Sequence, residues 1–197
     1  MNNFIKKICL WITCCLFLSS CATPYSNIPT NYQLKGNVGV ILLSLTASGE
    51  CGFAYFAEIR EIFNKSSYSI GMQDFGYERD WIKRNKECPS HPDNYFGKLV
   101  AIELPVGTYE LYQLEGMSRY KKVFAEKDMS VKFIVKANKI NYLGNMHFHV
   151  NKKSFIYGVQ NFSQRDIRLF QSKYKQFNAQ DIIINLLRMK EIKTLVA

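Results

Sequence analysis

The sequence predicts a mainly β protein, an antiparallel β-sandwich followed by a C-terminal two-helix hairpin. Between Asn37 and Phe162 apolar residues recur with period two in segments of strand length. Short intervals rich in turn-forming residues separate those segments, and after Phe162 the period becomes that of a helix. Strands in series followed by helices, rather than strands alternating with helices, argue against an α/β nucleotide fold.

Val38 to Leu45 is a nearly continuous apolar run, expected to be a central strand covered on both faces. Phe53 to Ile62 fits a strand or a helix; Gly52 before it and Asn64-Lys65-Ser66-Ser67 after it favour the strand. Tyr68 to Met72 is a third strand. Lys98 to Leu104 alternates, with Val100, Ile102 and Leu104 facing inward. Pro105 presets a type I turn, and Gly107 can take a left-handed conformation, so the chain reverses at Leu104-Pro105-Val106-Gly107-Thr108-Tyr109 or passes there from one sheet to the other. Tyr109 to Leu114 follows as a strand. Met129, Val131, Phe133 and Val135 alternate against Ser130, Lys132 and Lys136. Ile140, Tyr142, Gly144, Met146, Phe148 and Val150 extend one unbroken alternation, and Ser154 to Phe162 is the last strand of the series. Ser163 with Asp166 reads as a capping box, ahead of Ile167, Phe170, Tyr174 and Phe177 on one helical face. Asn178 with Asp181 repeats the device ahead of Ile182, Ile183, Leu186 and Leu187.

The 197 residues carry 26 Lys and Arg against 16 Asp and Glu, a net charge of +10. A composition that is 47% hydrophobic and 14% aromatic, with five prolines, excludes a disordered, collagenous or low-complexity chain. The first twenty residues have the form of an export signal. Lys6 and Lys7 precede an uncharged apolar run from Ile8 to Leu18, which as a helix covers about 16 Å, too little to cross a hydrocarbon core of about 30 Å. Without those two lysines the exported part keeps +8. Leu18-Ser19-Ser20-Cys21 resembles the lipobox of bacterial lipoproteins. That resemblance implies cleavage before Cys21 and acylation of its sulfur and new amino end, with palmitate among the chains, and Ala22 implies sorting to the outer membrane. Several acyl chains, at about 0.8 kcal/mol per buried methylene, hold a protein to a membrane almost permanently. Residues 21–36 are expected to be a polar, flexible tether that reaches at most about 50 Å, with a β-sandwich at 37–162 and a helical appendage at 163–197.

With Cys9, Cys14 and Cys15 in the signal and Cys21 acylated, Cys51 and Cys88 remain. An oxidising periplasm favours a disulfide between them, closing a loop of about 37 residues and stabilising by roughly 4 kcal/mol. Two buried free thiols, or one reactive cysteine, are the other arrangements the spacing allows.

Leu104-Pro105-Val106-Gly107-Thr108-Tyr109-Glu110-Leu111 resembles the LPxGxYxL segment of prealbumin-like and carboxypeptidase-regulatory-like β-sandwich modules. Phe133 to Asn145 is similar to a stretch that follows it in a set of uncharacterised bacterial lipoproteins. Asn138 stands where those sequences usually carry glycine; asparagine is the next-best residue for a left-handed turn. The resemblance covers about 45 residues in structural turn positions, implies a prealbumin- or immunoglobulin-like sandwich, and brings no catalytic residue with it.

Catalytic motifs are coincidental. Ser118-Arg119-Tyr120-Lys121 spells SxxK without its SDN and KTG partners, and Asp74-Phe75-Gly76 stands without a glycine-rich loop or HRD segment. His147 and His149 flank Phe148 on a strand, so both imidazoles point to one face, about 6–7 Å apart. They are weak metal candidates that need a third ligand from a neighbouring strand, and such a pair is more often a solvent face. The insertion from Gly76 to Phe96 is the place for specificity: Tyr77, Trp81 and Tyr95 stand beside Lys83 and Arg84, a mixture suited to sugars, anionic polymer or protein, unless the loop packs its aromatics inward. Residues 152–197 hold nine cations against three anions. In an exported chain such charge suits lipopolysaccharide phosphates, anionic lipid or peptidoglycan carboxylates rather than nucleic acid.

The expectation is a non-enzymatic, lipid-anchored module without a cofactor, facing the periplasm and binding or scaffolding an envelope protein, peptidoglycan or lipopolysaccharide. The alternatives are a cell-envelope hydrolase or metal-dependent enzyme using His147 and His149, and a subunit of an envelope secretion or assembly complex.

Overall fold

The computed structural model describes residues 27–49, 53–73, 96–118, 122–126, 128–150, 154–189 and 192–195. The predicted apolar run becomes β1 (Val38–Gly49), which lies between β4 (Phe96–Pro105) and β8 (Ile140–Val150). Every residue from Val40 to Ser48 is buried, as a strand covered on both faces requires. β9 (Ser154–Gln160) and β11 (Ile192–Leu195) extend this first sheet in the order β11-β9-β8-β1-β4. The second sheet runs β3-β2-β5-β6, from β2 (Phe53–Glu61), β3 (Ser67–Gln73), β5 (Gly107–Ser118) and β6 (Lys122–Glu126), and β7 (Val131–Val135) also pairs with β5.

The chain is mainly β, as predicted, and the two sheets share one apolar core. Ile41, Leu43 and Leu45 of β1, Val100, Ile102 and Leu104 of β4, and Phe148 of β8 meet Tyr55, Ile59, Leu111 and Phe133 of the second sheet. Tyr55 stacks on Phe148 with ring centroids 4.7 Å apart. The outer face of the first sheet is covered as well. Val40, Leu42, Ala101, Ile140 and Tyr142 pack against Phe170, Tyr174 and Phe177 of the helical layer and against Ile28.

The Leu104–Tyr109 segment passes from the first sheet to the second, since β4 pairs with β1 and β5 with β2. The Tyr109 hydroxyl donates to the Pro105 carbonyl at 2.9 Å and fixes this corner. The left-handed freedom expected of Gly107 is not used: among the described glycines positive φ falls at Gly36 and Gly144. Asn138 does take the left-handed turn, with φ 52.

Four further expectations are corrected. The first sheet is mixed rather than antiparallel, because β8 runs parallel to β1. The alternation along β8 breaks at a bulge, where Leu42 pairs with Tyr142 but Leu43 with Gly144. Gly144 has φ +111, open to glycine at little cost, and the extra residue reverses the faces. Ile140 and Tyr142 therefore share a face with Asn145, His147 and His149, while Leu143, Met146 and Phe148 enter the inter-sheet core. The two-helix hairpin is absent among the described residues: one helix forms, α1 (Ser163–Lys173). The Asn178–Asp181 device instead caps a single 3-10 turn (Ala179–Asp181), with the Asn178 amide donating to Asp181 Oδ2 at 2.8 Å. Ile182–Ile184 then forms β10, parallel to β8 at Ile140–Tyr142, beyond the Asn145–Val150 stretch that β9 occupies. Three β-branched residues beside a vacant strand edge favour extension over helix. Thus 163–195 is not an appendage; it completes the first sheet. Finally, residues 27–36 are not a free tether, since Ile28 is buried beneath Tyr174 and Phe177.

Candidate functional site

The outer face of the first sheet is apolar at one end and polar at the other. Beyond Val40 and Leu42, β1 turns Ser44, Thr46 and Ser48 to that face, each almost fully buried. Because of the bulge, β8 sets Asn145, His147 and His149 opposite them in register. From β9, Gln160, Gly158 and Ile156 pair in turn with these three. The helix lies over this ladder and contributes Arg165 and Asp166.

Asp166 was expected to cap α1. The N-cap is instead Phe162, without a side-chain cap bond, and Asp166 points into the sheet with no exposed surface. Its carboxylate accepts from Ser44 Oγ at 2.6 Å, from the Tyr142 hydroxyl at 2.7 Å and from Arg165 Nε at 2.8 Å. Burial, and secondarily the Asp166 carboxylate, push the Tyr142 phenol well above its ordinary value, so it stays protonated and donates. Arg165 also reaches Ser44 Oγ and Asn145 Oδ1, both at 3.1 Å, while its guanidinium stacks 4.5 Å over the Phe162 ring.

These contacts fix the direction of the remaining hydrogen bonds. Arg165 can only donate, so the Asn145 atom that it meets is the carbonyl oxygen. Thr46 Oγ1 donates to that oxygen at 2.9 Å, which uses its single proton. The 2.8 Å contact between Thr46 Oγ1 and His147 Nδ1 then requires the proton on Nδ1. Neutral His147 keeps a lone pair on Nε2, which Ser48 Oγ fills by donating at 3.0 Å. Ser48, its proton spent, accepts from His149 Nδ1 at 2.9 Å. The chain runs one way, from His149 through Ser48, His147 and Thr46 to Asn145. It ends on an amide oxygen, so it orients groups but has no outlet for a proton. Burial, then the neighbouring His149 and Arg165, lower the His147 pKa from 6.5 to about 4, in keeping with a neutral ring.

His149 is the end of the chain. With Nδ1 donating inward, His149 borders a cleft of about 260 Å³ together with Ile156, Gly158 and Gln160. A second hollow, about 470 Å³, opens at the start of α1 beside Asn161, Gln164 and Arg168.

His147 and His149 do share one face, as expected, but the face is a covered one and both rings are held by Thr46 and Ser48. Among the described residues no group of three or more His, Cys, Asp or Glu could hold a metal ion. Cys21, Cys51, Cys88, Tyr77, Trp81, Lys83, Arg84 and Tyr95 lie outside the described residues. Sequence reading missed Ser44, Thr46, Ser48, Asn145, Arg165 and Asp166. The signal was present as polar residues at alternate positions, Ser44-x-Thr46-x-Ser48 and Asn145-x-His147-x-His149, the first of them inside an otherwise apolar strand. No helix among the described residues is long and apolar enough to cross a membrane.

No protein-family model matches the sequence, and no curated protein matches it. Among solved structures, a leucine-rich repeat protein from Bacteroides thetaiotaomicron VPI-5482 is similar over 55% of this chain at 15% identity, with a TM-score of 0.36. The match spans 13% of that protein's length, and a likeness this slight carries no weight for fold or function.

Proposed function

We propose that this protein is a lipid-anchored binding or scaffolding module of the bacterial cell envelope, held to the outer membrane through Cys21 with its domain facing the periplasm. The observation that carries the reading is the N-terminal order of Lys6-Lys7, the apolar run Ile8 to Leu18, and Leu18-Ser19-Ser20-Cys21. The buried polar ladder supports a structural role for its members: the protons of Thr46 and Ser48 are committed to Asn145 and His147, and Asp166 is engaged by three donors. The body itself is proposed to be a β-sandwich of the prealbumin-like kind. The tyrosine corner, Tyr109 to Pro105, supports this, because such corners are a hallmark of Greek-key sandwiches.

The proposed contact surface is the insertion around Cys88, with Tyr77, Trp81, Lys83, Arg84 and Tyr95. Phe96, the last residue of the insertion, pairs with Ala47, so that segment rejoins the fold at the same sheet end as Ser48 and His149. Metabolic labelling with palmitate, together with fractionation of wild type and Cys21→Ser, tests the anchor. Label in wild type and its loss in the variant are expected; unlabelled wild type in the same fraction as the variant contradicts it. A crosslinked pull-down from intact cells identifies the partner.

The rival enzyme reading draws on Ser48, which contacts both imidazoles beside the cleft. It requires that His147→Ala with His149→Ala abolish a hydrolytic activity or remove a stoichiometric metal while the fold persists. The assembly-subunit reading requires a large particle after mild-detergent extraction, where we expect a small one.

A further inference from the structure

The lead between the anchor and the body is far shorter than composition suggests. Asn27 and Ile28 lie along the outer edge of β4, the edge strand of the first sheet: the Ile28 amide donates to the Ala101 carbonyl at 2.9 Å, and the Ala101 amide donates to Asn27 Oδ1 at 2.7 Å. The Tyr174 hydroxyl donates to the Ile28 carbonyl at 2.9 Å, and Gln176 Nε2 donates to the carbonyls of Thr30 and Tyr32. The body therefore includes Asn27, which bounds the lead from above. Six Cα steps from Cys21 to Asn27 give at most about 20 Å, of which roughly 5–7 Å is spent inside the headgroup layer. A body of this size is about 40 Å across. On so short a lead it cannot turn its far side to the bilayer.

The short lead, rather than charge, picks the near side, since Lys132 and Lys136 are exposed beside Ile134 on the far face; the near side nevertheless carries charge suited to phosphate. Residues 163–177 carry Arg165, Arg168, Lys173 and Lys175 against one carboxylate, Asp166, which is buried and bound by Arg165. Lys173 Nζ lies 5.3 Å over the ring of Tyr174, the residue whose hydroxyl holds Ile28, so cations flank the point where the lead arrives. The outer face of the second sheet, with exposed Ile134, lies two layers away, about 20 Å.

Resting on the reading of Cys21 as acylated, we infer that the α1 layer and the β4 edge form a docking surface for the phosphate headgroups of the anionic bilayer that holds the anchor. The protein rides with this side down, and the outer face of the second sheet is turned away from the lipid.

The test uses the full lipidated protein in vesicles of phosphatidylcholine with phosphatidylglycerol, with photoreactive benzoylphenylalanine at Ser172 on α1 or at Ile134. Lipid adducts, counted by mass spectrometry, are expected to be several-fold more abundant from position 172. Arg168→Glu with Lys175→Glu, or vesicles of phosphatidylcholine alone, should lower that yield several-fold. Equal yields at the two positions, or a yield at 172 indifferent to charge reversal, overturn the docking. Flotation separates this from the anchor: if wild type carries acyl chains and floats while Cys21→Ser does not, equal yields sink the orientation alone. Wild type without acyl chains sinks the anchor, and the orientation falls with it.

Discussion

Acidification from neutral pH to about pH 5 should remove roughly 2 kcal/mol of stability through His147 alone. The folded state holds this imidazole at about 4 against an ordinary 6.5, chiefly because burial penalises the charged ring. The folded value is the lower one, so between the two values the unfolded chain binds the extra proton. The contribution is complete above the unfolded value and is lost as the pH falls toward the folded one. Full traversal of the window is worth about 3 kcal/mol, since each pH unit is worth about 1.4 kcal/mol, and about two-thirds is gone by pH 5. Geometry gives the same direction: both ring nitrogens are in use, Nδ1 toward Thr46 and Nε2 receiving the Ser48 proton, so a second ring proton points at a hydroxyl that is already donating. The assay is urea denaturation at several pH values for wild type and His147→Gln, which cannot titrate. Wild type should lose roughly 2 kcal/mol more than the variant between about pH 7 and pH 5. Nitrogen NMR of the folded protein should find His147 neutral with its proton on Nδ1. Parallel pH profiles for the two proteins, or a proton on Nε2, would refute the directed chain.

Three further outcomes follow from the same structure. Asp166→Ala strips the acceptor from Ser44, Tyr142 and Arg165 and should cost about 3–5 kcal/mol in denaturant unfolding; a loss under about 1 kcal/mol would mean that the carboxylate is not the anchor of the helical layer. Gly144→Ala meets Val159 Cγ1 at 2.6 Å with φ at +111, so about 2–4 kcal/mol should be lost, and unchanged stability would contradict the bulge. Tyr109→Phe removes the bond to the Pro105 carbonyl and should cost about 1 kcal/mol by thermal or urea unfolding, with the fold retained in far-UV circular dichroism; no measurable loss would leave the corner without its tie.

Period-two patterning made the strands from β1 to β9 legible except β6 (Lys122–Glu126), which the sequence reading missed; strands such as β1, β4, β5 and β8 bury at least one face. The same property hid the bulge. Both faces of the first sheet are covered, so apolar residues on either side of Gly144 continued the alternation although the chain had changed face. His147 and His149 read as a solvent pair for a related reason: the residues that hold them, Thr46 and Ser48, sit on β1 about 100 residues away. Asp166 lay at capping-box spacing from Ser163, yet its partner Ser44 is a long-range one that local spacing does not reveal. Ile182–Ile184 fits either period, and the choice was made by the free stretch of β8 at Ile140–Tyr142. Asn27 and Ile28 carried no periodicity at all, since what orders them is an exposed strand edge on β4.

Intact-mass measurement of the mature protein extracted from the cell's membranes bears most directly on the central claim. A chain that begins at Cys21 and is heavier than its residues by several fatty-acyl groups is the predicted result. An N-terminus elsewhere, or a Cys21 of unmodified mass, would contradict the lipid anchor and the envelope role built on it.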